Sequence, residues 1–272
     1  MFVHRAAGDK SWIASKGTYI HKMFSSIADN YDFLNSLLSF NRDRYWRRFA
    51  VSKIEPAAGE QILDVATGTG ALAWELSKRI GRGGKVVGID FSKEMLRKAQ
   101  GKLAKRRRHN LELICAKAEA LPFPHDTFDY VSIGFALRNV TEMEQTLREM
   151  TRVLKIGGEM LCLEFSQPQH KIFRRIYYFY IFHILPFLGQ AISKNKEAYA
   201  YLPKSIVEFS SPTELKQIME KVGLGDIVAY PLTLGIATVH VAVKKATSNC
   251  CQSKDNATNN EQPIKCLVCE EN

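Results

Sequence analysis

No run of residues in this 272-residue chain is long and apolar enough to cross a bilayer. The longest apolar stretch, Ile176 to Gly189, is interrupted by His183 and Pro186 and falls short of the roughly 20 residues that a spanning helix needs. No apolar segment of the secretory-signal type precedes Ser15. The expectation is therefore a soluble, cytoplasmic protein, at most peripheral to the inner face of a membrane. Cysteine is scarce in the body of the chain: of six, only Cys115 and Cys162 precede residue 250, and both fall in strand-like runs as small core residues. The other four, Cys250, Cys251, Cys266 and Cys269, lie in a polar tail, 246–272. One CxxC beside an adjacent pair is a poor match to a tetrahedral zinc site, so no metal is expected and the tail reads as disordered. Acidic residues are outnumbered, 28 against 38 Lys and Arg, for a formal charge of +10. That excess suits a polyanionic partner, but no aromatic-basic motif accompanies it, and nucleic acid is not expected. Part of it is the run Lys102, Lys105, Arg106, Arg107 and Arg108, which reads as a solvated helix end. There is no internal repeat, and nothing in the pattern specifies an oligomer.

What the sequence has is an organising stretch, Gln61 to Asp90. Ile62, Leu63, Val65 and Ala66 form an apolar run of the type expected for a buried parallel strand. Gly68-Thr69-Gly70 then makes a turn in which backbone N–H groups can approach a ligand closely. Ala71 to Ile80 reads as a helix, ended by Gly81, Gly83 and Gly84. A second apolar run, Val86 to Ile89, delivers Asp90 to the carboxyl end of its strand, where a ribose would present its hydroxyls. A nucleoside cofactor is implied.

Two cofactors compete for this pattern. Gly68-x-Gly70-x-x-Ala73 with an acid twenty residues past Gly70 also fits the dinucleotide fingerprint. Three features favour S-adenosylmethionine (SAM). Asp64, four residues before Gly68, places a carboxylate where a cationic amino group can be held. The turn has no helix start tuned to a pyrophosphate. Near the C-terminus stand two strand-like runs, Ile227 to Leu234 and Ile236 to Val243, meeting at Gly235, which would give the sheet an antiparallel edge.

Residues 1–17 lack periodicity and read as a flexible arm. A methyltransferase domain is expected over 18–245, with a helical cap at 18–56 carrying stripes such as Met23, Phe24, Ile27 and Tyr31, then Tyr45, Trp46 and Phe49. After Asp90, Ser92 is a candidate N-cap for a helix through Lys105. Strands follow at Leu111–Ala116, Phe128–Ile133 and Met160–Phe165, with a helix from Thr141 to Leu154. This alternation predicts an α/β, Rossmann-like fold with a mostly parallel seven-stranded sheet and a C-terminal antiparallel hairpin. Residues 168–205 break it with an aromatic segment, read either as a buried helix or as a lid over a greasy substrate at a membrane interface. Pro212-Thr213 begins a final helix, ending at Gly223.

Several segments resemble the C-methyltransferase family of menaquinone and ubiquinone biosynthesis: MFSSIADNYDFLNSLLS at 23–39, DVATGTG at 64–70, AEALPFPHDTFD at 118–129, FALRNV at 135–140, RVLKIGGEMLCLEFSQP at 152–168 and AYAYLPKSI at 198–206. The resemblance runs from about Met23 to Lys244 and implies methyl transfer from SAM to a ring carbon of a polyprenylated quinol, a lipophilic substrate, most often demethylmenaquinol. Carried over by position, Thr69, Asp90, Lys117, Ala118 and Gly134 are its SAM contacts. Two of these depart from the family's pattern: Lys117 stands where a small polar or acidic residue is usual, and Gly134 where serine is usual. Leu234 replaces the usual glycine of the hairpin.

The sulfonium methyl is already activated, so the enzyme must align it and make a ring carbon nucleophilic by loss of a neighbouring hydroxyl proton. Arg138 and Asn139 follow the fourth strand at the edge facing the cofactor. Arginine is too basic to accept a proton ordinarily, so Arg138 is expected to stabilise the oxyanion or position water, with a structural salt bridge as its alternative. Tyr31 is a candidate for orienting the substrate or is ordinary helix packing. Glu164 either reaches the site or makes a structural contact, and His240 reads as structural. The expected site is thus Arg138, Asn139 and Tyr31 for chemistry, with Asp64, Gly68, Thr69, Gly70, Asp90, Lys117, Ala118 and Gly134 for the cofactor. Methylation of another phenolic acceptor, or a binding protein that has lost turnover, are the alternatives.

Overall fold

The computed structural model describes residues 10–28, 31–106, 110–188 and 196–246. Three helices come first, α1 (Lys10–Ile27), α2 (Tyr31–Leu38) and α3 (Arg42–Val51). The α/β part runs β1 (Gln61–Val65), α4 (Ala71–Ile80), β2 (Lys85–Asp90), α5 (Lys93–Arg106), β3 (Leu111–Cys115), β4 (Phe128–Gly134), α6 (Met143–Val153) and β5 (Leu154–Phe165). Helix α7 (Lys171–Phe179) continues through a π-helical segment, Tyr180–Ile184. Then come α8 (Lys196–Glu208), α9 (Pro212–Lys221), β6 (Leu224–Leu232) and β7 (Ala237–Lys244). The seven strands lie in the order β3-β2-β1-β4-β5-β7-β6, with β7 antiparallel to both of its neighbours and the rest parallel.

The near-continuous apolar runs arise because helices cover both faces of the sheet. Successive side chains of β1 go opposite ways: Leu63 joins Leu147, Met150 and Met219 of α6 and α9, while Ile62 joins Trp46, Leu72 and Leu76 of α3 and α4. A third cluster lies off the sheet, where Ile20, Met23, Leu34 and Leu38 of α1 and α2 pack on Tyr177, Ile181 and Leu185 of the aromatic segment. Side chains cap some of the helix starts. Ser92 Oγ accepts from Met95 N (3.3 Å), and Ser211 with Glu214 forms a complete capping box on α9.

Four expectations need correction. Helix α1 begins at Lys10, inside the stretch 1–17 read as an arm. Gly17, which weakens a helix in isolation, lets α1 approach Thr141 so closely that a Cβ would stand 3.2 Å from its methyl. Strand β5 starts at Leu154 rather than Met160, because Gly157, at φ 78°, allows the backbone to pass from α6 into the sheet without a loop. The hairpin strands do not meet at Gly235 but are joined by a 3-10 turn over Thr233–Gly235. Cys115 is exposed, since β3 is an edge strand, whereas Cys162 is buried. The cysteine tail from residue 247 onward, and residues 1–9 of the arm, lie outside the described residues.

Candidate active site

The parallel strands deliver their carboxyl ends to one edge, with Val65 opposite both Ile89 and Ile133. The backbone turns there with positive φ at Ala66, Gly68 and Gly70 (53°, 57° and 77°). Thr67 fastens this turn, its N–H donating to Ile89 O (2.7 Å) and its hydroxyl to Asp64 (2.6 Å). Asp90 closes it from the next strand, one carboxylate oxygen accepting from Gly68 N and the other from Ser92 N, both at 2.8 Å.

A cleft of about 610 Å³ opens beside the turn, within the roughly 300–1,000 Å³ usual for small-molecule sites. Asp64 and Asp90 both line it. Asp64 is 1% exposed and also accepts from Ser132 Oγ at 2.7 Å. Burial pushes its carboxyl up to about 6 in spite of those donors, and burial likewise raises Asp90. Among the described residues neither makes an ion pair. Two buried carboxylates that are hydrogen-bonded but have no ion-pair partner repel a pyrophosphate and suit a cationic cofactor, so the residues present fit SAM. The cleft is roofed by α1: Lys16 Nζ donates to Val140 O (2.8 Å), Ser25 Oγ to Glu94 (3.0 Å), and the His21 ring lies 5.3 Å from that of Phe91.

Of the expected cofactor residues, Asp64, Gly68, Thr69, Asp90, Lys117, Ala118 and Gly134 all line the cleft. Lys117 is exposed on a tight turn whose Ala120 N–H returns to its carbonyl, while Ala118 beside it is buried. Gly134 faces Leu72, whose Cδ2 would stand 2.8 Å from a Cβ there, so the small residue at 134 and the large one at 72 are matched. Gly70 is the exception. It faces the other side of the turn, where a Cβ would meet Ala99 of α5 at 3.2 Å.

Tyr31 and Asn139 line the cleft, but Arg138 does not; it lies in an adjoining recess of about 60 Å³ that shares Phe24, Tyr31, Arg47 and Phe135 with the cleft. Arg138 makes the salt bridge weighed as its alternative. Its Nη1 donates to Glu164 Oε1 and to Phe135 O, both at 2.6 Å, and the pair is 6% and 2% exposed. Its Nε is buried without a partner, and its guanidinium lies 5.0 Å from the Phe165 ring centroid. Burial pushes the Tyr31 hydroxyl above the ordinary phenol value, against the pull of Arg138 and Arg47, so this phenol stays a neutral donor. Tyr201 OH donates to Asn139 Oδ1 (3.2 Å) and so steadies that amide. His240 is buried in β7 beside Pro212 O (3.3 Å), away from the cleft.

Three participants were not singled out in the sequence, although two of them fall in the family-like segment 23–39. Asp32 of α2 accepts from Thr69 Oγ1 (2.5 Å) and pairs with Lys102 of α5, which also donates to Thr69 O (3.1 Å). Arg47 of α3 lines both the cleft and the recess, and Asn35 hydrogen-bonds Tyr31. Spacing gives no hint of any of them, because each meets the site only when the N-terminal helices fold over the sheet edge.

The model of the ubiE/COQ5 methyltransferase family matches residues 13–244. A ubiquinone/menaquinone biosynthesis C-methyltransferase, UbiE, of Geotalea daltonii is 46% identical over 235 residues, covering 85% of this protein and 99% of that one. A demethylmenaquinone methyltransferase of Geobacillus stearothermophilus is 40% identical over 231 residues, covering 85% and 99%. Among solved structures, a SAM-dependent methyltransferase from Thermotoga maritima, described as a possible histamine N-methyltransferase, superposes with a TM-score of 0.57 at 22% identity, covering 83% of this protein and all of that one. A SAM-dependent methyltransferase from Aquifex aeolicus gives 0.53 at 22% identity, covering 73% and 89%; at this identity both likenesses speak for the fold. With the family match spanning nearly the whole described body and relatives covered almost end to end, the chain belongs to the ubiE/COQ5 methyltransferase family.

Proposed function

We propose that this protein methylates a ring carbon of a polyprenylated quinol with SAM as donor, most simply demethylmenaquinol to menaquinol. The observation that carries this reading is the junction of two unlike spaces. A cleft with two buried, unpaired carboxylates opens onto an aromatic recess holding a phenol and two guanidinium groups. The names of the relatives from Geotalea and Geobacillus point the same way.

When bound, SAM supplies a methyl group on a sulfonium, a leaving group that needs no acid. Asp64 is suited to hold a cationic amino group, and Asp90 to accept from ribose hydroxyls. Gly68 and Thr69 of the turn, Lys117 with Ala118, and Gly134 form the remaining wall. The acceptor's task is to lose a hydroxyl proton so that charge reaches the ring carbon. Tyr31 donates to the acceptor oxygen, Arg138 stabilises it as an oxyanion, and Asn139, steadied by Tyr201, fixes the ring's orientation. The new carbon–carbon bond replaces a ring C–H, whose proton leaves as the ring becomes aromatic again. The acceptor oxygen takes back a proton as the C–H proton leaves, so one proton is released in all per methyl transferred.

In this reading the described parts of 18–56 form a cap over the acceptor and those of 168–205 a lid, with 29–30 and 189–195 lying outside the described residues, and the protein works at the cytoplasmic face of a membrane as a peripheral visitor. Exposed apolar residues on both segments support that placement, Phe40 and Phe187 among them at 74% each. Among the described residues no helix is long and apolar enough to cross a membrane.

The test is transfer of labelled methyl from SAM into a lipid extract containing demethylmenaquinol under reducing conditions, with Arg138→Ala and Asp90→Ala run alongside. Label in the quinone, lost in both variants, is the expected result. No label with SAM binding intact would redirect the search to other acceptors.

A further inference from the structure

The recess holds a second guanidinium that nothing in the sequence singled out. Arg47, on α3, lines the cleft and the recess at once and is 13% exposed. Its Nη1 donates to Asp43 (2.6 Å), and Asp43 is itself held by the hydroxyls of Ser36 (3.3 Å) and Ser39 (3.1 Å). Its remaining nitrogens hydrogen-bond to none of the described residues. The guanidinium lies 5.6 Å from the Phe135 ring centroid, as Arg138 lies 5.0 Å from that of Phe165, and those two rings are 4.7 Å apart. The recess therefore has a two-ring aromatic floor with one arginine over each ring. Both arginines pull on the Tyr31 phenol between them.

A quinol carries oxygens at opposite ring positions, and ionising one spreads charge toward the other. We propose that Arg47 is a second acceptor-oxygen ligand, binding the quinol oxygen opposite the one served by Tyr31 and Arg138 and making the bound quinol more acidic. This rests on the quinol reading above. In the transfer step a negative acceptor meets a positive sulfonium, so charge is cancelled rather than built up. A bare cation would therefore hold the acceptor back, whereas an arginine half-neutralised by Asp43 favours ionisation without over-stabilising the product of it. The Arg138–Glu164 pair is tempered in the same way. The other titratable or charged groups lining the cleft and recess are His21 and Lys22 from α1, Tyr31 from α2, Asp43 from α3, Tyr201 from α8, Arg138 with its partner Glu164 and, on the cofactor side, Asp64, Asp90, Lys117 and Glu119, with Tyr177 of α7 acting on Arg138 from outside. Burial holds all three of those tyrosines above the ordinary phenol value, so they stay neutral through the working range.

The experiment is the pH dependence of steady-state methylation of a short-tailed demethylquinol, with wild type, Arg47→Gln, Arg47→Lys and, as a control on the exposed side of the same helix, Arg44→Gln. Arg47→Gln should lose on the order of 100-fold in kcat/KM for the acceptor at pH 7 and recover much of it as pH approaches the ~10 of a free phenol. Because Arg47 lines the cleft as well as the recess, SAM affinity can also fall, but by at least about tenfold less than kcat/KM for the acceptor. Arg47→Lys, keeping the charge but losing the fork, should fall between. A loss that is flat across pH, a loss seen equally in SAM affinity, or turnover by Arg47→Gln within about threefold of wild type would each overturn the assignment. If Arg47→Gln does not fold, the position of the Arg47→Lys acid limb decides, an unshifted limb counting against it. Wild type that methylates no quinol at all overturns the acceptor reading itself, and the role of Arg47 with it.

Discussion

Asp64 is buried with no cationic partner among the described residues, and this sets a pH dependence of known sign. Its folded carboxyl titrates at about 6, above the ordinary 3.8, because burial disfavours the charge. A group that holds its proton more tightly when folded costs stability as pH rises. Unliganded protein should therefore lose stability, on the order of 3 kcal/mol from this residue, as pH climbs from about 4 to about 6, and no more beyond it. SAM binding should run the other way, weakening below about pH 6 as Asp64 protonates. Calorimetric titrations with SAM between pH 5 and 8 check the second trend and denaturant melts the first. Asp64→Asn should flatten both; an unchanged SAM profile in that variant would remove Asp64 from the cofactor's contacts. Lys117 gives the opposite expectation. Because its side chain is exposed, Lys117→Ala should change SAM affinity less than about threefold, the size of an ordinary surface substitution.

At the scale of elements, the N-terminal helices are fastened to the cofactor turn by a small polar knot. Asp32 of α2 takes the Thr69 hydroxyl and the Lys102 ammonium, while Lys102 also reaches the Thr69 carbonyl. The glycine turn and the helix that bears Tyr31 are thus tied by side-chain contacts. Asp32→Asn should weaken SAM binding by roughly fivefold, the size of one lost hydrogen bond of about 1 kcal/mol, and raise amide exchange across α2. Exchange unchanged in α2 would show that the hydrophobic contacts of Leu34 and Leu38 hold the helix without the knot. The strands, by contrast, were legible from local pattern, since apolar runs such as Ile62–Val65 and Val86–Ile89 can only be buried by helices on both sides. The start of α1 was not, because 10–17 carries no apolar periodicity and continues a helix whose buried stripe begins only at Ile20. The same distinction separates the site residues. Asp64, Asp90 and the glycine turn sit where the fold's strand ends must bring them. Asp32 and Arg47 depend on how one helix docks, and Arg138's bridge to Glu164 depends on neighbouring strands pairing in register.

The whole molecule presents one face whose chemistry the core does not explain. The aromatic segment buries Tyr177, Ile181 and Leu185 against α1 and α2, yet Ile172, Ile176 and Phe179 on its other side are exposed. A helix that buries one apolar side and still exposes Ile172, Ile176 and Phe179 among basic residues is uncommon on a protein that meets water alone. The Phe40 ring, held in a left-handed turn at φ 52°, lies 5.8 Å from Tyr180 and extends the patch onto the end of α2. From Ser166 to Lys196 the sequence has no acidic residue, while Lys171, Arg174 and Arg175 lie among the apolar positions. Apolar insertion with basic flanks suits an anionic bilayer, where each nearby basic residue contributes about 1 kcal/mol. The protein should co-sediment with vesicles containing phosphatidylglycerol far better than with pure phosphatidylcholine, and about 0.5 M salt should release much of it. Arg174→Glu with Arg175→Glu should remove the lipid preference, and Phe179→Ser should weaken binding at any salt. Both variants should keep their turnover of a short-tailed soluble acceptor while losing it on quinol embedded in vesicles, because the exposed patch lies outside the cleft and recess. Equal binding to neutral and anionic vesicles, or vesicle turnover unaffected by either change, would mean that the acceptor reaches the recess by another route.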